Sequence, residues 1–204
     1  MSRSRWGRLP VRAGDSAFSL IELLVVMAIL GILTVLVAPA VQSVLAGRNV
    51  GTAAEMITAG LQSARQAAIT RNALVQWQLL RVPDRRNGDT QAFRLTRSLI
   101  LTPGTREWQS LDPPEWLPVG AWVSTNTSES PLLSNPTSAT NLPGSLVSGG
   151  SAIAATIIFN AAGRANVDVS QNWLTVVSRA NTNDFLTIQL DPTSGRVRTF
   201  RPGL

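Results

Sequence analysis

The chain has 204 residues and a net charge of +6, and all eighteen of its positive charges are arginines. It contains no Cys, His, Lys or Tyr, which excludes disulfides, thiolate nucleophiles and Cys-ligated zinc. The commonest general base and metal ligand is also missing, as are Schiff-base, Ser–Lys and Walker-type phosphate chemistries. Only Ser, Thr, Asp, Glu and Arg remain for catalysis, so the expectation is a non-enzymatic protein without a cofactor.

The length suits one modest domain with an appendage. Arg3, Arg5, Arg8 and Arg12 stand near the start beside a single acid, Asp15, and without the first seventeen residues the net charge falls to +3. The remaining arginines are dispersed, so nucleic acid is not an expected partner. Leu23 to Val41 is a run of nineteen uncharged residues, which would rise about 28 Å as a helix, close to the hydrocarbon thickness of a bilayer. A transmembrane segment is therefore expected at about 20–41. Arginines before it put the N-terminus in the cytoplasm and the later domain across the membrane.

One carboxylate, Glu22, stands near the start of this run. Insertion scales penalise such a group by roughly 2.5–3.5 kcal/mol at a helix centre and less near an end. It therefore needs a partner. A secretory signal peptide ending at Ala38-Pro39-Ala40 or Val44-Leu45-Ala46 is one reading of the segment, and a plain membrane anchor is another. A third comes from the stretch AFSLIELLVVMAILGIL at residues 17–33.

That stretch resembles the signal of type IV prepilins and type II secretion pseudopilins: a short basic leader, a small residue, Phe, a polar residue, two aliphatics and Glu. The resemblance implies cleavage between Ala17 and Phe18 by a prepilin peptidase, followed by N-methylation of Phe18. Ala17 departs from the usual Gly. Gly31 and Pro39 match positions where family helices carry helix-weakening residues. The family's assembly scheme pairs the carboxylate at the Glu22 position with the N-terminal ammonium of a neighbouring subunit, which sets register. Implied partners are other pilin or pseudopilin subunits, an inner-membrane assembly platform and membrane lipid.

Val41, Val44, Leu45, Met56, Ile57, Leu61, Ala64 and Ala68 recur at helical spacing. They predict a long helix over roughly 19–71 whose second half lays an apolar stripe on the head. Gly47, Gly51, Gly60 and Pro39 would weaken it locally. After Asn72 the period changes to two. Val75, Trp77 and Leu79 read as a strand, Pro83 to Asp89 (with Asn87-Gly88) as a turn, and Phe93 to Leu101 as a second strand. Trp108, Trp116 and Trp122 are expected to plug a small core. Residues 124–152 read as loop with at most short strands. Strands are expected at Ala155–Phe159, Trp173–Ser178, Phe185–Leu190 and Arg196–Phe200, with turns at Ala161–Arg164 and Asp191–Gly195.

IIFNAAGRANV and LTIQLDPTSGRVRTF resemble the strand–Gly–Arg turns of H-type minor pseudopilins and FimT-like pilins. SARQAAITRNALVQWQ, TREWQSLDPPEWLPVGAWV and LDPTSGRVRTFRPGL resemble the prepilin-type proteins called Verru_Chthon cassette protein D. The fold expected is α+β and type IV pilin-like, a long N-terminal helix (transmembrane in its first half) packed on an antiparallel sheet or sandwich head. Its parts would be a basic leader over 1–17, the helix over 18–72 and a periplasmic head over 73–204. Asp184, Asp191 and Thr193 lack the spacing of an EF-hand, and turn chemistry explains them, so no metal is expected. The function implied is a structural subunit of a pilus-like or pseudopilus filament. The alternative is a membrane-tethered binding module that does not polymerise.

Overall fold

The structure is a computed structural model that describes residues 19–81, 95–104, 107–134, 137–139, 152–179 and 181–201, with the side chains of 36–47 and 137–139 left aside. The chain divides into two units between Val41 and Gln42. One helix, α1 (Leu20–Arg71), is the first element. It ends at Asn72, whose φ of 47° takes the left-handed conformation. The Ala73 amide then donates to the Ala68 carbonyl and the Asn72 amide to that of Ile69. Asn tolerates this conformation better than other non-glycine residues, which is why the helix stops there.

The second unit, Gln42–Leu204, sets the latter part of α1 against two antiparallel sheets. The first contains β1 (Val75–Arg81), β2 (Leu95–Leu101), β3 (Trp108–Ser110), β4 (Glu115–Trp116), β6 (Thr137–Ala139) and β7 (Ala152–Phe159). Its order is β3-β2-β1-β7-β6, with β4 also paired to β2. The second sheet joins β5 (Ala121–Val123), β8 (Trp173–Ser178), β9 (Phe185–Leu190) and β10 (Val197–Phe200) in the order β10-β9-β8-β5. The expected hairpin is present as β1 and β2, with Val75 opposite Ile100 and Leu80 opposite Leu95. Phe93 and the Asn87-Gly88 turn lie outside the described residues.

The core forms where the helix stripe of Val50, Ala53, Ala54, Ile57, Leu61, Ala64 and Ala68 meets Trp77, Leu79, Ile157, Phe159, Leu174, Ile188 and Leu190. The stripe recurs at three- and four-residue steps and is dominated by small residues, so the backbone can come close to the strands. Gly60 is a point of close approach. A Cβ built there would lie 2.8 Å from Nε1 of Trp77, an indole that is itself only 1% exposed. Gly60→Ala is therefore expected to lower stability by about 1 kcal/mol, because overpacking outweighs the helix propensity gained. A fall of roughly 2–4 °C in melting temperature is the corresponding shift.

One expectation needs correction. Trp108 and Trp116 do not plug the core: they are 37% and 40% exposed. They stand on β3 and β4, short strands that among the described residues pair with β2 alone, so no described strand covers their other edge. Trp122 is half-buried, with the Arg179 guanidinium 5.6 Å from its ring centroid. Trp77 and Phe159 supply the large buried rings instead. On β1, the expected strand, the polar alternation does not mark a solvent face. Gln78 and Arg97 are opposite one another and buried, and the Arg97 Nε donates to the Gln78 Oε1 at 2.7 Å. Burial lowers the Arg97 pKa from its usual value.

Part of the supposed loop is also anchored. Ser130 is fully buried and its Oγ accepts from the Thr175 amide, while the Thr175 hydroxyl donates to the Glu129 carbonyl. The Ser124 hydroxyl donates to the Glu129 carboxylate at 2.6 Å. Buried polar groups must be paired, and this set ties the segment to β8.

Candidate processing and assembly site

The expected site clusters at the start of α1. Ser19 precedes the helix, and its Oγ accepts from the Glu22 amide at 3.2 Å. The Glu22 carboxylate accepts in return from the Ser19 amide at 3.4 Å. This reciprocal pair is a capping box, in which two otherwise orphaned helix donors are satisfied. Its sequence signal, Ser-x-x-Glu before an apolar run, is legible and was missed by reading Glu22 only as a charge in search of a countercharge. Both side chains are exposed, so the carboxylate remains within reach of a further donor. Ala17 and Phe18 lie outside the described residues.

Beyond the cap the helix is apolar on every side. Leu20, Ile21 and Val35 are 82%, 71% and 74% exposed, and nine further large apolar residues between them are also exposed. A helix with no polar face belongs against lipid or other protein. Covering these twelve side chains would be worth on the order of 20 kcal/mol before ordering costs. Gly31 is open, since a Cβ there would meet nothing within 4 Å. The Thr34 hydroxyl is returned to the Leu30 carbonyl at 2.7 Å, so it offers no free polar group. The helix is continuous through Gly31 and Pro39. Among the described residues no helix is long and apolar enough to cross a membrane. The expected span of 20–41 continues past Val35 into residues whose side chains are not described.

At the far end of the second unit two turns of similar build meet. The Asn160 Oδ1 accepts from the amides of Ala162 and Arg164. The Asp191 carboxylate accepts from the Thr193 and Ser194 amides and from the Ser194 hydroxyl. Each turn closes on a glycine of positive φ, Gly163 at 76° and Gly195 at 63°. The Ala165 amide donates to the Pro192 carbonyl, and the Arg65 Nε of α1 donates to the Ser194 carbonyl at 2.9 Å. The latch joins β7 of one sheet, the β9–β10 turn of the other and the helix.

Asp191 is thus engaged within its own turn, and Asp184 receives a 2.8 Å bond from Arg201. Among the described residues no group of three or more acids gathers as a metal cluster would require. The Ser194 hydroxyl, and then the Thr193 amide, hold the Asp191 carboxyl below its usual pKa. Asp168 is lowered in the same way by Ser170, where it caps a short turn. A pKa lowered by folding stabilises above the unfolded value of about 3.9 and the benefit is lost as pH falls through the folded value. Asp191→Asn keeps the acceptor without the titration. Its melting temperature is expected to fall less than the wild type's between pH 5 and pH 3, and to show no difference in slope between pH 6 and pH 8.

Residues 12–38 match the family model described as the prokaryotic N-terminal methylation motif. The chain carries a prepilin-type N-terminal segment. The match of the prepilin-type segment covers the Ala17–Phe18 bond, the capping box and the exposed apolar helix. Among solved structures, the minor pseudopilin EpsH of the Vibrio cholerae type 2 secretion system is similar at 13% identity and a TM-score of 0.45, covering 76% of this chain and 99% of that one. The type IV minor pilin FimU of Pseudomonas aeruginosa is similar at 14% identity and a TM-score of 0.44, covering 76% of this chain and 90% of that one. Likenesses at this level carry no further argument. No curated protein matches the chain.

Proposed function

We propose that this prepilin-type chain is a minor pilin or pseudopilin, a structural and non-catalytic subunit of a type IV pilus-like filament or a type II secretion pseudopilus. A prepilin peptidase cuts between Ala17 and Phe18, and Phe18 is then N-methylated. Residues 1–17 are the leader, 18–72 the helix and 73–204 the periplasmic head. Before assembly the apolar start of the helix, about 20–41, resides in the inner membrane with its N-terminus cytoplasmic. In the filament the same surface packs against neighbouring subunits at an assembly platform, and Glu22 sets register by meeting an N-terminal ammonium.

The observation that supports this reading is the helix start itself, apolar all round and exposed, with one carboxylate held at its tip. Lipid and a bundle of like helices are the two surroundings that suit such a surface. Cross-linking in native membranes tests it. A subunit yields a ladder of adducts with pilin-like neighbours, whereas a membrane-tethered binding module that does not polymerise yields only the uncross-linked chain.

A further inference from the structure

The outer face of the second sheet carries a groove of about 400 Å³ lined by Trp173, Phe185, Thr187, Gln189, Phe200 and Arg201. Register explains the arrangement: Trp173 is opposite Gln189 and Phe200 opposite Thr187, with Phe185 two residues along β9 on the same face. Three rings from three strands therefore surround two hydrogen-bonding side chains. From Phe185 to the level of Trp173 the face runs about 13 Å, four residues of extended strand. Rings fixed on strands are better ordered than rings on loops. Phe200 is 49% exposed.

The polar groups between the rings are underused. Gln189 gives one amide hydrogen to Asn172 at a long 3.5 Å, and its carbonyl oxygen has no partner among the described residues. The Thr187 hydroxyl has a single 3.4 Å contact with that of Thr175. At the edge, Arg201 is neutralised by Asp184 at 2.8 Å, and the charge of Arg198 acts on Asp191. An apolar partner would strand Gln189 and Thr187 without hydrogen bonds, and a polyanion would find the groove's own cation already paired. A pyranose chain fits both features: its C–H faces lie on rings, and its hydroxyls donate and accept around the rim.

We infer that this face is a binding site for a neutral oligosaccharide. Trp173, Phe185 and Phe200 form the platform, and Gln189 and Thr187 read the hydroxyls. The site is separate from the N-terminal segment and stands or falls independently of filament assembly.

Isothermal titration of the full chain, in a detergent without a sugar headgroup, with chitohexaose and cellohexaose tests the inference. Saturable binding of at least one sugar is expected. Phe200→Ala and Gln189→Ala should each weaken it about tenfold, the scale of losing one stacked ring or one buried hydrogen-bond partner. Trp173→Phe should retain most of it, and Trp116→Ala should leave it unchanged. Melting temperatures close to wild type establish that the variants are folded, and the exposure of Phe200 makes that the expected result for its variant. No saturable heat with either sugar would overturn the inference. So would undiminished affinity in a folded Phe200→Ala chain, or a preference for a single-stranded oligonucleotide over both sugars.

Discussion

Gly195→Ala is expected to lower the stability of the head by about 3 kcal/mol, through backbone strain and steric overlap together. The added Cβ would collide with the Gly163 carbonyl oxygen and come within 2.8 Å of the Arg65 Cδ, at a residue whose φ is already 63°. Neither neighbour can yield cheaply. The carbonyl belongs to a turn closed by Asn160, and Arg65 is fastened to the adjacent Ser194 carbonyl. Because the latch holds both sheets and the helix, its loss should appear as a lower cooperative transition, by roughly 6–12 °C. Gly51→Ala is the control, since a Cβ there meets nothing within 4 Å. It should be neutral or stabilise by up to about 1 kcal/mol. A Gly195→Ala chain that melts with the wild type would show that the two turns do not bear on one another.

Replacing Glu22 separates two roles that one side chain carries. Glu and Gln both serve at the third helical position of a capping box, so Glu22→Gln keeps the bond to the Ser19 amide and removes the charge. Glu22→Ala removes both. If the carboxylate meets an ammonium in an apolar filament interior, either change leaves that ammonium unpaired at a cost of about 3–5 kcal/mol. Incorporation into filaments should then fall by about a hundredfold or more in both variants. Membrane insertion and leader cleavage should persist. Normal incorporation of Glu22→Gln, with failure of Glu22→Ala, would assign Glu22 to the cap alone.

The legible parts of this chain are those governed by local chemistry. β8 and β9 run over the residues that their alternation marks, Trp173–Ser178 and Phe185–Leu190, because Asn, Asp and Gly turns bound them. The helix stripe was legible for the same reason, and so was the end at Asn72. What eluded the sequence depends on distant neighbours. β3 and β4 are three residues or fewer and exist through pairing with β2, a contact that no local pattern announces. Gly60 reads as a weak point of a helix, yet its place under the Trp77 indole makes it a point of close approach. Trp108 and Trp116 have the composition of a core and the position of an edge. At the candidate site, the carboxylate stands out in the sequence, and the Ser-x-x-Glu spacing before an apolar run carries its hydrogen bonds to Ser19 as well.

Processing at the Ala17–Phe18 bond underlies the whole functional account, since it creates the ammonium that Glu22 is proposed to meet. Mass spectrometry of the N-terminus of the protein from native membranes measures it directly. The account predicts a chain that begins at Phe18 and carries an N-methyl group. A chain that retains residues 1–17, or one that begins at Gly47 after a signal-peptide cut, would contradict it.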